Sequence, residues 1–224
     1  MPNALPLNLF IDTSNVWQSN KFSNPSALNY LGKSLETWLN GVLDELGVKD
    51  TPVIHGTVHP GAYISGRVYI AEGATVEPTA YIQGPCVIGP GAEIRHGAYI
   101  RGHAWIGAKA VVGHTTEVKG AVFFDNAKAG HFAYVGDSIL GQNVNLGAGT
   151  KLANLKLKGD EVRVKHPLSG ELIRTGLRKF SAIIGDNAQT GCNSVLSPGT
   201  LLLPNTAVLP CVHYLGTLTK GFAR

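Results

Sequence analysis

The chain has 224 residues, of which 44% are hydrophobic and 15% charged, enough for a sizeable core in one domain with appendages. Its three cysteines (Cys86, Cys192, Cys211) are odd in number, widely spaced and without a CxxC pair, which excludes a disulfide frame and a cysteine zinc site. The start, MPNALPLNLF, lacks a basic region and a long apolar run, so the expectation is a cytoplasmic protein with no signal peptide and no membrane span. The net charge of +4 is local: residues 151–180 hold eight Lys/Arg against three Asp/Glu, and the rest of the chain is near −1. This excludes a general nucleic-acid binder, which would spread its cations along one face with aromatics between them.

Residues 1–52 form an N-terminal segment, and 1–23 carry only weak signals. Asn24-Pro25 reads as a helix start, with Asn capping and Pro at the first helical position. Leu28, Leu31, Leu35, Trp38, Leu39, Val42, Leu43 and Leu46 follow at helical spacing, and Gly47 can close the helix. Its apolar face is expected to pack on the next domain and cap its first turn.

From residue 53 a six-residue period takes over. Val58, Ile64, Ile70, Val76, Ile82, Ile88, Ile94, Ile100, Ile106, Val112 and Val118 are all Val or Ile, and mostly small residues sit two positions before each. Such self-similarity marks a solenoid. A six-residue step suits a short strand plus a turn, with one branched aliphatic per strand pointing inward. Beyond Val118 the ladder changes character: Phe123, Ala129 and Val135 continue it, one spacing of five leads to Leu140, and Leu146 and Leu152 resume it. Residues 153–180 interrupt the ladder; Glu161–Lys165 and Glu171–Arg174 alternate around Pro167-Leu168-Ser169-Gly170, as an exposed β-hairpin would. The period returns at Ile184, Thr190, Leu196, Leu202 and Val208, and the tail 213–224 is expected to cap the far end. The solenoid is thus placed at 53–212, with roughly seven coils.

The pattern resembles the hexapeptide-repeat left-handed parallel β-helix, in which three hexads close one triangular coil. The implied fold class is all-β: a left-handed parallel β-helix with a short N-terminal α-helical cap and an inserted β-hairpin. Left-handedness comes from the resemblance alone, because parallel crossovers are otherwise right-handed. Within residues 117–150, Lys128-Ala129-Gly130-His131, Tyr134-x-Gly136-Asp137 and Asn143-Val144-Asn145-x-Gly147-Ala148-Gly149-Thr150 are similar, in order and spacing, to one family. It is the acetyltransferase domain of bifunctional N-acetylglucosamine-1-phosphate uridyltransferase/glucosamine-1-phosphate acetyltransferase.

What the resemblance implies is residue-specific. His131 falls on the general base that takes a proton from the amine of an amino-sugar phosphate as it attacks acetyl-CoA, the co-substrate; no metal is implied. Arg101 and Lys119 fall on phosphate-binding cations, Tyr134, Asn145 and Asn154 on sugar contacts, and Ala148 and Cys192 on coenzyme contacts. The family pairs its flat faces in homotrimers and places its sites between them. There are departures. Leu155-Lys156-Leu157 stands where the family continues Tyr-Asp-Gly, Cys192 replaces a serine, Pro210 replaces an alanine, and the coenzyme's C-terminal arginine has no counterpart before Arg224. The first 50 residues offer no glycine-rich nucleotide loop, so a nucleotidyltransferase domain is not expected among them.

Two rival classes stand beside the N-acetyltransferase. One is a non-catalytic sugar-phosphate-binding module. The other is a metal-dependent lyase of the γ-carbonic anhydrase kind, suggested by His96 and His114, 18 residues apart, with His131 one residue short of the next step. The histidine pair five residues apart that those lyases use is missing.

Overall fold

The computed structural model describes residues 5–224. From Val53 onward the chain winds as a parallel β-helix whose three sheets hold nine, nine and eight strands. Successive strands of a coil go to successive sheets: Val53–Ile54 opens the first face, Thr57–Val58 the second and Tyr63–Ser65 the third. The six-residue ladder is the interior. Ile70, Ile88 and Ile106 stack inside the first face, Val76, Ile94 and Val112 inside the second, Ile82, Ile100 and Val118 inside the third, all fully buried. A side chain inside so narrow a prism has no route to solvent.

The coil count exceeds seven. The tail does not stop the helix: His213–Tyr214, Thr217–Leu218 and Phe222–Ala223 each add a strand, one to each face. Tyr214, Leu218 and Ala223 take the inward positions that Val and Ile hold earlier, a pattern too relaxed to be seen as a hexad.

Two coils in the middle of the helix are one residue shorter than the 18-residue coils before them. Ala104 pairs with Ala121, Val112 with Ala129 and Val122 with Ile139, steps of 17, whereas Cys86 pairs with Ala104 at a step of 18. The missing residues are at the corner between third and first faces, where the ladder steps by five from Val118 to Phe123 and again from Val135 to Leu140. The first of these steps lies a full coil before the irregularity noted in the sequence.

The N-terminal helix, α1, is Gly32–Glu45. It begins later than the Asn24-Pro25 signal. Ala27–Tyr30 is a 3₁₀ turn, Leu31 is extended, and Gly32 has φ +56°, a left-handed conformation that breaks continuity. Asn24 instead accepts hydrogen bonds from the Ser26 amide and the Asn29 side chain, while Gly47 closes α1 at φ +74°.

What the N-terminal segment covers is a flank. The outward residues of the first face are apolar (Val87, Trp105, Val122, Ile139, Ile183, Leu201), and they form one buried cluster with Leu35, Leu39 and Leu43 of α1 and with Phe10 and Phe22. Trp105 anchors it, with ring centroids 4.9 Å from Trp17, 5.3 Å from Phe22 and 5.3 Å from Trp38. Two carboxylates hold the arm on the corner: Asp125 accepts from the Trp17 and Ala108 amides, and Asp186 from the Asp12 and Gln142 amides.

The insertion forms the expected hairpin, Arg163–Lys165 antiparallel to Leu172–Arg174, but it does not stand free. Val162 and Val164 are buried in the same flank cluster, Ile173 and Leu177 pack against it, and the Thr217 hydroxyl donates to the Lys165 carbonyl. Its apolar alternation is satisfied by the first face. Part of its charge is spent internally, in the pairs Lys156–Asp160 and Arg174–Glu161 at 2.8 Å each.

The interior leaves no place for an ion. Ile88→Asp, at a fully buried ladder position, should abolish cooperative folding, because an unpaired carboxylate cannot be solvated there. A soluble variant with a sharp melting transition would contradict this register.

Candidate functional site

The residues singled out by sequence fall into two groups on two faces. On the third face, Tyr99–Arg101, Glu117–Lys119 and Tyr134–Gly136 lie side by side, one coil apart, and point alternate residues outward. Arg101 Nε donates to Glu117 Oε1 at 2.6 Å, and Lys119 Nζ to Asp137 Oδ1 at 2.9 Å. Asn154 Nδ2 donates to the other oxygen of Asp137 at 2.5 Å, and the Tyr134 hydroxyl lies beside it over Gly136. Arg101 with Glu117, and Lys119 with Asp137 and Asn154, are therefore two adjacent ionic groups on one face, with Tyr134 beside both.

Asp137 is the hub. Its side chain is only 4% exposed, and its backbone sits at φ +44°, in the shortened corner between third and first faces. That corner leaves no room elsewhere: a Cβ on Gly120 would come within 2.8 Å of Asp137 Oδ1, and one on Gly136 within 2.5 Å of the Tyr134 hydroxyl. The Glu117 hydrogen bond pushes Arg101 further above its usual range. Burial, then the Glu117 and Asp137 carboxylates, push the Tyr134 phenol up, so it stays neutral and available as a donor at pH 7.

His131 and the remaining candidates lie round the corner on the second face. His131, Asn145, Ala148 and Cys192 line an open groove of about 720 Å³, with Glu93, Arg95, Lys109, Asn126 and Lys128. Its floor can be shallow because glycines follow the inward residue of successive strands, Gly113, Gly130, Gly147 and Gly191. The coils approach so closely there that a Cβ on Gly113 would lie 1.7 Å from the Gly130 carbonyl oxygen. His131 pairs in register with His114, so the 17-residue coil removes the one-residue offset that the sequence suggested. His96 and His114 stack at 4.3 Å with 25° between planes, and the His114 Nδ1 is 3.1 Å from the His96 carbonyl. Rings stacked face to face do not converge on an ion, and among the described residues no group of three His, Cys, Asp or Glu side chains is disposed to hold a metal. No described helix is long and apolar enough to cross a membrane.

Sequence reasoning assigned no role to Glu117, Asp137, Lys109 or Lys128, although Asp137 and Lys128 lie in the motif words themselves. The signal for Asp137 was positional: a carboxylate 18 residues after Lys119, next to a ladder step of five. Asp137→Ala should cost about 2 kcal/mol of stability, because it strands Lys119 and Asn154 and puts a Cβ-bearing residue without a local hydrogen bond into a left-handed conformation. Asp137→Asn should cost less, and chemical denaturation of the two variants checks the order.

Known proteins match part of the chain. Residues 82–170 match the model of the GMPPB C-terminal domain. A bifunctional sugar-1-phosphate nucleotidylyltransferase/acetyltransferase of Sulfurisphaera tokodaii is 39% identical over 92 residues, 41% of this chain and 22% of the relative. The bifunctional protein GlmU of Methanococcus maripaludis is 39% identical over 90 residues, 40% of this chain and 21% of the relative. The matches thus span about a fifth of these relatives' length. Among solved structures, a hexapeptide transferase family protein of Anaplasma phagocytophilum aligns over 74% of each chain at 20% identity, with a TM-score of 0.37. The chain is a hexapeptide-repeat β-helix protein, similar over part of its length to the GMPPB C-terminal domain and to bifunctional sugar-1-phosphate nucleotidylyltransferase/acetyltransferases.

Proposed function

We propose that the protein is an acyl-CoA-dependent N-acetyltransferase acting on an amino-sugar phosphate such as glucosamine 1-phosphate, with His131 as general base. The observation that carries this reading is the setting of His131. It stands at the edge of a groove shared with Asn145 and Ala148, three residues before Tyr134, which lies beside the Lys119–Asp137–Asn154 group. A relative 39% identical over 92 residues is named a bifunctional sugar-1-phosphate nucleotidylyltransferase/acetyltransferase.

In this reading the sugar amine attacks the thioester carbonyl, a C–N bond forms as the C–S bond breaks, and the thiolate leaves. The amine proton passes to the imidazole of His131 as the C–N bond forms. Arg101 and Lys119 hold the phosphate, with Asp137 fixing the Lys119 ammonium and the Asn154 amide at one edge of the sugar.

The ionic groups and the base-bearing groove lie on different faces. That arrangement suits a homotrimer in which a neighbouring copy closes each corner, so light scattering should give three times the mass of one chain. A single-chain mass would remove the subunit wall on which this site depends.

His131→Ala should lower kcat by about 10²–10⁴-fold, the usual worth of a positioned proton acceptor, and leave substrate binding intact. Arg101→Gln or Lys119→Gln should instead raise KM, because contacts to a phosphate form before the transition state. The substitutions at the coenzyme positions, Cys192 and Pro210, favour the rival reading, a sugar-phosphate-binding module without turnover. A thiol-release assay with acetyl-CoA, beside calorimetry with glucosamine 1-phosphate, separates the two. Binding with no release from any acyl donor would end the transferase reading.

A further inference from the structure

The cations of the two faces differ in how they are satisfied. On the third face each has a carboxylate, Arg101 with Glu117 and Lys119 with Asp137. Along the second-face groove the pattern reverses. Glu93 is engaged by Arg95 at 2.7 Å, which leaves Lys109 and Lys128 as the net charge of the lining. Among the described residues neither lysine has an ion pair, and the side chains of Asn126, His131 and Asn145 make no hydrogen bond within the chain. Asp125, the nearest carboxylate in sequence, is occupied by the Ala108 and Trp17 amides at 2.9 and 2.7 Å.

These side chains are arranged in rows. Lys109 and Asn126 take the same left-handed corner position in successive coils, at φ +55° and +60°, and the Asn126 amide bonds to the Ala108 carbonyl. Lys128 and Asn145 are paired neighbours on the adjoining strands. Lys109 and Asn126 are thus one coil apart, about 4.8 Å, and Lys128 follows Asn126 by two residues in the same coil, so two ammonium groups and an amide line one edge of the groove. The lysine stem has somewhere to lie: its Cγ would be 3.3 Å from a Cβ on Gly91, which has none. His131 lines the same groove at the opposite corner of the second face.

We infer that Lys109, Asn126 and Lys128 form a second anion-binding edge, distinct from the Arg101 and Lys119 groups, which takes phosphoryl oxygens of a diphosphate-bearing ligand across the groove from His131. Binding of the anion stands by itself; that its reacting end reaches His131 rests on the transferase reading. The diphosphate can belong to the acyl donor or to an acceptor larger than a sugar monophosphate, and the chemistry of the edge is the same for both.

The test uses the full-length protein and two probes, inorganic pyrophosphate and adenosine 3′,5′-bisphosphate, titrated by calorimetry at low and at physiological salt. Wild type should bind pyrophosphate, with affinity falling as salt screens the two ammonium groups. Lys109→Gln and Lys128→Gln should each weaken binding about tenfold, the loss of one charge-assisted contact. Lys49→Gln, an exposed lysine just after α1 and outside both sites, should leave it unchanged. Lys109 and Lys128 are exposed, so unchanged melting temperatures will show that the variants fold. If adenosine bisphosphate competes with pyrophosphate and depends on the same lysines, the donor is the source; if only pyrophosphate binds there, it is the acceptor. Pyrophosphate affinity that is absent in wild type, or unaltered in the double lysine variant, overturns the site. Pyrophosphate binding that needs both lysines in a protein with no thiol release would leave the edge standing and remove only the transferase reading.

Discussion

A parallel β-helix can add a coil only if the chain returns to register above the last one, because each strand takes its hydrogen bonds from the strand one coil earlier. The interior aliphatics enforce this: a slip of one residue would turn Ile88 or Ile100 outward and a polar neighbour inward. Deletions are therefore tolerated only at corners, and only as whole-coil adjustments. This chain uses two at one corner, Val118 to Phe123 and Val135 to Leu140. Their effect reaches across the coil. They bring His131 under His114, and they tighten the corner in which Asp137 meets Lys119 and Asn154. The candidate site occupies the part of the solenoid where the period is altered.

The flank follows from a second constraint. Strands buried on both sides read as unbroken apolar runs, and the first face has them: Cys86-Val87-Ile88, Ala104-Trp105-Ile106, Ala121-Val122-Phe123 and Ala182-Ile183-Ile184. The third face alternates, as in Tyr99-Ile100-Arg101 and Glu117-Val118-Lys119, and the second does at Glu93-Ile94 and Lys128-Ala129. One face had to be covered, and the chain supplies two covers, the N-terminal segment and the 153–180 hairpin. Covering that flank leaves the second and third faces free to present the groove and the ionic groups.

The inner ladder, the helix and the hairpin were legible because each depends on a local period. The cover was legible in principle, since Trp105 and Val87 depart from alternation, but reading every sixth residue hides the residue just before it. The motif words placed Lys128, His131, Tyr134, Asp137 and Asn145 together in sequence. They did not show that a corner divides them between two faces, because that depends on which residues occupy turns. Pairing was the least visible feature: Arg101 meets Glu117, 16 residues away, and Lys119 meets Asp137, 18 away, contacts set by coil stacking and not by local spacing.

The two ionic arrangements imply different modes of anion recognition. In the proposed function, a phosphate at Arg101 and Lys119 would meet cations that already have carboxylate partners, so its binding would be an exchange. Glu117, about a third exposed, can turn to solvent and yield Arg101, whereas Asp137 at 4% exposure is held in the corner and keeps its hold on Lys119. Selectivity there comes from geometry, because net attraction is small until Glu117 leaves. At Lys109 and Lys128 no partner must be displaced, so attraction is immediate, longer in range and sensitive to salt. A ligand with anionic groups at both ends would be drawn in along the second face and oriented at the third. His131, at the corner between the two faces, is the titratable group that such a ligand would have to pass.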